Sequence, residues 1–380
     1  MKRISILVWI LCACFVSVAW GQKNGWSEFH RPDMMRFNPN EKVLNVNNAG
    51  KLVLKWSYTT GANVEPSPAV ANGVVYFGSW DDNVYALNAS TGALLWSYTT
   101  GDQVWSSPAV ANGVVYVGSN DNKVYALNAK TGKKLWSYAT GNLVKSAPTV
   151  ANGVVYVGSN DNNVYALNAS TGALLWSYTT GGPLYLNSPA VVKGVVYVGS
   201  NDNNVYALDA STGAKLWSYT TGYGIYSSSP AVADGVVYVG SDDNNLYALD
   251  ASTGAELWSY FVNSYVDNSP AVANGVVYFG STWSDNSVYA LNAKTGTLLW
   301  RYQANDNILG SAAVANGVVY VGSSTEYTSG DYTVYALNAE TGALLWSYGT
   351  EGVTNSSPIV VNGMVYVGAE NGKIYAFGLP

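Results

Sequence analysis

Glu65, Asp267 and Asn355 carry the oxygen atoms that a hard cation such as Ca²⁺ takes as ligands. They belong to a set of eight positions, one per repeat of the chain, that reads Glu65, Trp105, Lys145, Leu186, Ser227, Asp267, Leu309 and Asn355. Side chains this unlike can stack, accept hydrogen bonds and hold charge, which is the chemistry of binding. Nucleophilic chemistry lacks its parts. His30 is the single histidine, and the two cysteines, Cys12 and Cys14, both fall within the first 21 residues. A Ser-His-Asp or Cys-His site therefore has no material to build from, and no phosphate-binding G-x-x-x-x-G-K-S/T string occurs. Asp-Asn clusters such as 160–163 resemble fragments of calcium loops. They lack the twelve-residue spacing with a terminal Glu and read as hairpin turns.

The elements that must position this set repeat along the chain. Trp56, Trp96, Trp136, Trp176, Trp217, Trp258, Trp300 and Trp346 follow one another at intervals of 40, 40, 40, 41, 41, 42 and 46 residues. A fixed period of this size marks a repeat architecture. Each unit reads as four short strands rich in Val, Tyr and Trp, of the types SPAVA, GVVYVGS, NVYAL and LLWSY. Asn152–Gly153 predicts a type I′ hairpin, because both central residues need positive φ. Thr171–Gly172 marks a second turn of the same kind of need.

Four antiparallel strands per 40 residues describe a propeller blade. GVVY-like strands occur eight times, but the first LLWSY-like strand precedes the first full unit and the last unit lacks one. The expected fold is all-β, a single eight-bladed propeller over 52–380, closed by strand 52–58 completing the C-terminal blade so that no sheet edge is left open.

The string A-L-N-A-x-T-G-x-x-x-W, found at 86–96, 126–136, 166–176, 290–300 and 336–346, resembles the tryptophan-docking motif of pyrroloquinoline-quinone-type propellers. Asp209 and Asp250 replace its Asn in two further units. The resemblance implies that the eight repeated tryptophans lie between blades as structural wedges. The family resembled includes quinoprotein alcohol dehydrogenases, the propeller lipoprotein of outer-membrane protein assembly, and secreted propellers. A dehydrogenase of that kind stacks its quinone between a Trp and a ring made by adjacent cysteines, and holds Ca²⁺ with a Glu, an Asn and an Asp, with another Asp as base. Glu65, Asn355 and Asp267 match those ligand types, but no adjacent cysteines exist, and Lys145 is the only basic residue expected at the channel. The resemblance therefore favours a non-catalytic member. No cofactor or metal is expected, and PQQ with Ca²⁺ stands as the alternative.

Strand direction alternates, so two faces of the ring follow from the repeat. The fourth-to-first and second-to-third connections share an upper face, and the Asn-Gly and Thr-Gly turns share a lower one. The lower face hardly varies. The upper face carries the eight-position set, its neighbours Tyr185, Tyr226, Tyr265, Asp306 and Ile308, and connections holding Trp80, Trp283, Tyr327 and Tyr332. Variable loops on a rigid scaffold commonly carry function. The candidate contact residues are thus Glu65, Trp80, Trp105, Lys145, Tyr185, Tyr226, Asp267, Trp283, Tyr327, Tyr332 and Asn355.

The ends and the charge set the context. Residues 1–21 read as a secretory signal, with Lys2 and Arg3, an apolar run and small residues at Ala19 and Gly21. A lipoprotein signal around Leu11-Cys12-Ala13-Cys14 is the alternative, which would anchor the protein to lipid. Residues 22–51 are expected to form a strap on the ring. A net charge of −6 argues against nucleic acid as a partner, and no later stretch is apolar enough to span a membrane. The expectation is a monomeric, secreted or periplasmic scaffold that binds a protein or glycan through its upper face. The alternatives are a PQQ-dependent dehydrogenase and an envelope-assembly lipoprotein.

Overall fold

In the computed structural model, residues 25–283, 285–324 and 332–380 are described. Their strands form eight antiparallel sheets arranged as the blades of one ring. Blade 3 shows the pattern: Thr149–Ala151, Val154–Gly158, Asn163–Asn168 and Leu174–Thr179 pair in sequence order. The second and third strands are buried nearly throughout, and the fourth alternates as the outer edge. Asn152 and Gly153 have φ of 50° and 78°, the left-handed pair that the hairpin requires.

Closure follows the expected route. Val53–Thr59 pairs antiparallel with Lys373–Gly378, setting Trp56 opposite Ala376 and Ser57 opposite Tyr375. The last blade thus takes three strands from the end of the chain and one from near its start. Blade 7 departs from the pattern by adding two short strands, Phe37–Asn38 and Asn307–Ile308.

Two repeated contacts join the blades, the second of them missing between blades 7 and 8, where the Tyr320 hydroxyl has no partner. The Trp176 indole donates to the Ala210 carbonyl of the following blade at 3.0 Å, and Tyr156 donates its hydroxyl to the same oxygen at 3.0 Å. The counterparts run round the ring, from Trp56 to Ala89 and from Trp346 to Leu52. Each indole except Trp346 lies on the Thr-Gly turn of the next blade. A Cβ at Gly213, where φ is already +74°, would stand 2.7 Å from the Trp176 ring. Nearer the axis, serine hydroxyls form a belt. Ser188 N–H donates to Ser229 Oγ, Ser229 to Ser269, Ser269 to Ser311, Ser311 to Ser357, and Ser357 to Ser67. Ser67 continues it to Ser107, and the belt breaks only where Ala147 has no hydroxyl to offer Ser107.

Residues 25–38 run inside the ring, along the first strands. Trp26 exchanges backbone hydrogen bonds with Val70. Val110 donates to the Ser27 carbonyl and Val150 to the Glu28 carboxyl. Val232, Val272 and Val314 donate to the carbonyls of Met34, Met35 and Arg36, and Asn38 donates to the Val360 carbonyl. This one segment thereby satisfies inward-facing amide N–H groups on six blades and a carbonyl on a seventh, groups that would otherwise face the channel unpaired. Arg36 anchors it. Its guanidinium is fully buried, donates to the carbonyls of Phe29, Ala312 and Pro358 at 2.7, 2.8 and 3.1 Å, and lies 4.5 Å from the Phe29 ring centroid. His30 is buried beside Arg36, and that burial pushes its pKa down to about 3, so it is neutral. Among the described residues no helix is long and apolar enough to cross a membrane.

Candidate functional site: the upper cup

With the lower part of the channel filled by residues 25–38, its upper end becomes a cup of about 1200 Å³. Phe29 forms part of the floor. The wall holds Glu65, Trp105, Lys145, Leu186, Ser227, Asp267, Leu309 and Asn355, so all eight positions of the variable set face one cavity. Trp80, Tyr226, Trp283 and Tyr332 join them. Tyr185 lies behind, its ring 4.7 Å from that of Tyr226. Tyr327 falls outside the described residues, as do residues 1–21, where a signal was expected, and their cysteines.

The wall obeys a rule that becomes visible once the blades stand side by side. The residue that follows the second strand of one blade meets the variable position of the next. Three junctions pair like with like. Trp80 stacks on Trp105 with centroids 4.2 Å apart and planes 18° from parallel. Glu370 lies against Glu65, and Asp242 against Asp267, each pair close enough to share a proton through a side-chain hydrogen bond. Asn355 donates to Glu370 at 2.6 Å. Lys145 completes the first sector, its Nζ 3.9 Å from the centroid of the Trp105 ring and within electrostatic reach of Glu65. The Trp105 indole N–H is held by Gln103 at 2.8 Å.

Glu370 and Asp242 escape a reading that looks only at variable positions before each Ser-Pro pair. The signal is present in the units: Trp80, Asp242 and Glu370 stand where other units place Asn120, Asn160 and Asn201. Because those connections keep a common short length, the substitutions draw less notice than the longer loops.

The electrostatics follow from two acids sharing a partly dry wall. Burial, reinforced by the charge of Glu370, raises the Glu65 pKa to about 9. Burial raises Asp242 as well, and it lowers Lys145 against the opposing pull of Glu65. A carboxyl whose folded pKa lies above its ordinary value of 4.5 binds more protons in the folded state over that interval. Its contribution is then most favourable in acid and is lost as pH rises from about 4.5 towards 9. Glu65→Gln should therefore gain thermal stability over the parent at alkaline pH and match it near pH 4.5. Melting curves across that range test this, and a difference independent of pH would contradict it.

The oxygen atoms that could hold a cation are divided. Glu65, Glu370 and Asn355 gather at the junction of blades 8 and 1, and Asp267 sits with Asp242 at the junction of blades 5 and 6. Among the described residues no cluster of three or more His, Cys, Asp and Glu side chains is placed to bind a metal ion. Lys145 is the one Lys or Arg among the described wall residues, a poor cradle for a quinone bearing several carboxylates. The wall does not fit that cofactor.

The model of the family described as outer membrane protein assembly factor BamB matches residues 39–145, 139–225, 222–327 and 306–378. The chain belongs to this family of PQQ-like repeat proteins. Among solved structures, BamB from Moraxella catarrhalis superposes with a TM-score of 0.73 at 22% identity, over 86% of this chain and 100% of that one. The quinohemoprotein alcohol dehydrogenase ADHIIG of Pseudomonas putida HK5 gives 0.79 at 19%, over 94% and 80%. The computationally designed Ika8 protein gives 0.75 at 20%, over 84% and 98%. At such identities these likenesses speak for the ring alone. No curated protein matches in sequence.

Proposed function

We propose that this BamB-family propeller is a non-catalytic, extracytoplasmic scaffold that binds a protein or glycan through its upper cup. The observation that carries the reading is the concentration of variation. Units that repeat almost identically on the lower face place their unlike residues, indoles, phenols, acids and an amine, around one cavity. Blade building explains the shared residues and leaves this set without a structural task in common. The family match adds a more specific form of the same reading, a part in assembling the outer membrane, in which the ligand is a protein. The divided carboxylates and the single wall lysine weigh against the dehydrogenase alternative.

Capture from envelope extract and on glycan arrays tests the proposal. Wild-type protein should retain a ligand that the triple variant Trp105→Ala, Tyr226→Ala, Trp283→Ala loses by tenfold or more, about 1.4 kcal/mol. Equal retention by the folded triple variant would refute upper-face binding.

A further inference from the structure

The cup contains one arrangement twice. In the first sector an acid pair, Glu65 with Glu370, stands beside the stacked indoles of Trp80 and Trp105. The chain supplies its own ammonium there: Lys145 Nζ lies 3.9 Å from the Trp105 centroid. In the second sector another acid pair, Asp242 with Asp267, stands beside Tyr226, Tyr265 and Trp283. These three residues line the cavity and are 44, 43 and 51% exposed. No Lys or Arg among the described wall residues enters this sector. On the next connection Asn307 adds a buried carbonyl oxygen with no hydrogen-bond partner.

We infer that this second sector binds a primary alkylammonium, the lysine side chain of a protein partner, seated as Lys145 is seated in the first. The inference rests on the binding reading above and names its ligand. The chemistry selects among alternatives. A cation over aromatic faces gains from their quadrupoles, more so when partly desolvated. An ammonium brings three donors to a wall that offers acceptors. A neutral sugar could use the rings but would leave the acid charge unmatched, and an anion would be repelled. A bare metal ion would use the oxygens and make no use of the aromatic lining.

Calorimetric titration of the full chain with Nα-acetyl-lysine amide and with butylammonium tests this. Saturable binding in the millimolar range is expected, with none for the Nε-acetylated lysine probe, which keeps the shape and lacks the charge. Asp242→Asn with Asp267→Asn, near-isosteric changes, should weaken it about tenfold or more, and Trp283→Ala should weaken it several-fold. Absence of saturable binding by both ammonium probes, or equal binding of the charge-silent probe by the wild-type protein, would overturn the inference whether or not the variants fold. If the aromatic triple variant loses its envelope ligand while neither ammonium probe binds, the inference fails and the upper-face reading stands. If that variant keeps its ligand, the upper-face reading itself fails.

Discussion

Arg36→Met should destabilise the protein by about 4 kcal/mol and loosen residues 25–38 from the channel. Three backbone carbonyls, on Phe29, Ala312 and Pro358, lose a charged donor in a fully buried place. A hydrogen bond to a charged group contributes about 1.5–3 kcal/mol, and a buried acceptor left without a partner costs about 1–3 kcal/mol. Methionine recovers some of the packing against the Phe29 and Trp26 rings, which holds the loss below the plain sum. Urea unfolding gives the free energy, and limited proteolysis reads cleavage within 25–38. A loss below about 1 kcal/mol would mean that the segment is held mainly by its contacts along the first strands. The functional consequence is specific. Phe29 is part of the cup floor, and its carbonyl is one that Arg36 holds, so ligand capture should fall with the segment's docking.

Trp176→Ala should cost about 3–5 kcal/mol, the range for deleting a large aromatic from a packed interior. The indole is 8% exposed, donates to Ala210 and covers Gly213 on the next blade. Its loss opens a void between two blades, and ring closure prevents them from collapsing together freely. Tyr156 still donates to the Ala210 carbonyl, so that oxygen keeps a partner and the cost is mostly packing. Leu175→Ala, one residue away and half exposed, supplies the contrast and should fall within about 0.5 kcal/mol of the parent. Chemical denaturation of both variants decides. Equal effects would mean that the interface between blades does not depend on the indole.

Sequence legibility tracked how local the deciding interaction is. The four-strand unit, its turns and the closure by Val53–Thr59 follow from patterns within or between repeats, and the blades carry them out. The ring of eight variable positions was readable because one-per-unit variation needs only the count of units. The pairing of Trp80 with Trp105, Glu65 with Glu370 and Asp242 with Asp267 was not, because each pair joins two different blades. Only the inter-blade geometry says which connection of one unit leans on which position of the next. The course of residues 25–38 was hidden for a related reason. That segment has no repeat of its own, and its partners are backbone amides, which leave no mark in side-chain patterns. Its tightly packed Arg36 and neutral His30 look like ordinary surface residues until the channel around them is seen.

The Asp-Asn clusters show how a motif resolves once built. Asp161 spends one carboxylate oxygen on the Asn163 amide at 3.0 Å and the other on the Tyr165 hydroxyl at 2.7 Å and the Gly141 amide at 2.6 Å. These contacts account for the residue as a turn and a blade-to-blade tie, in keeping with the hairpin reading.

Ligands should meet this ring at the upper cup. Hydrogen exchange on the wild-type protein, with and without the ligand captured from envelope extract, addresses it most directly. Slower exchange should concentrate in the connections carrying Glu65, Trp105, Tyr226, Asp267 and Asn355, with the Asn-Gly turns unchanged. Protection confined to those turns or to the outer strands, with the cup connections exchanging as before, would contradict it.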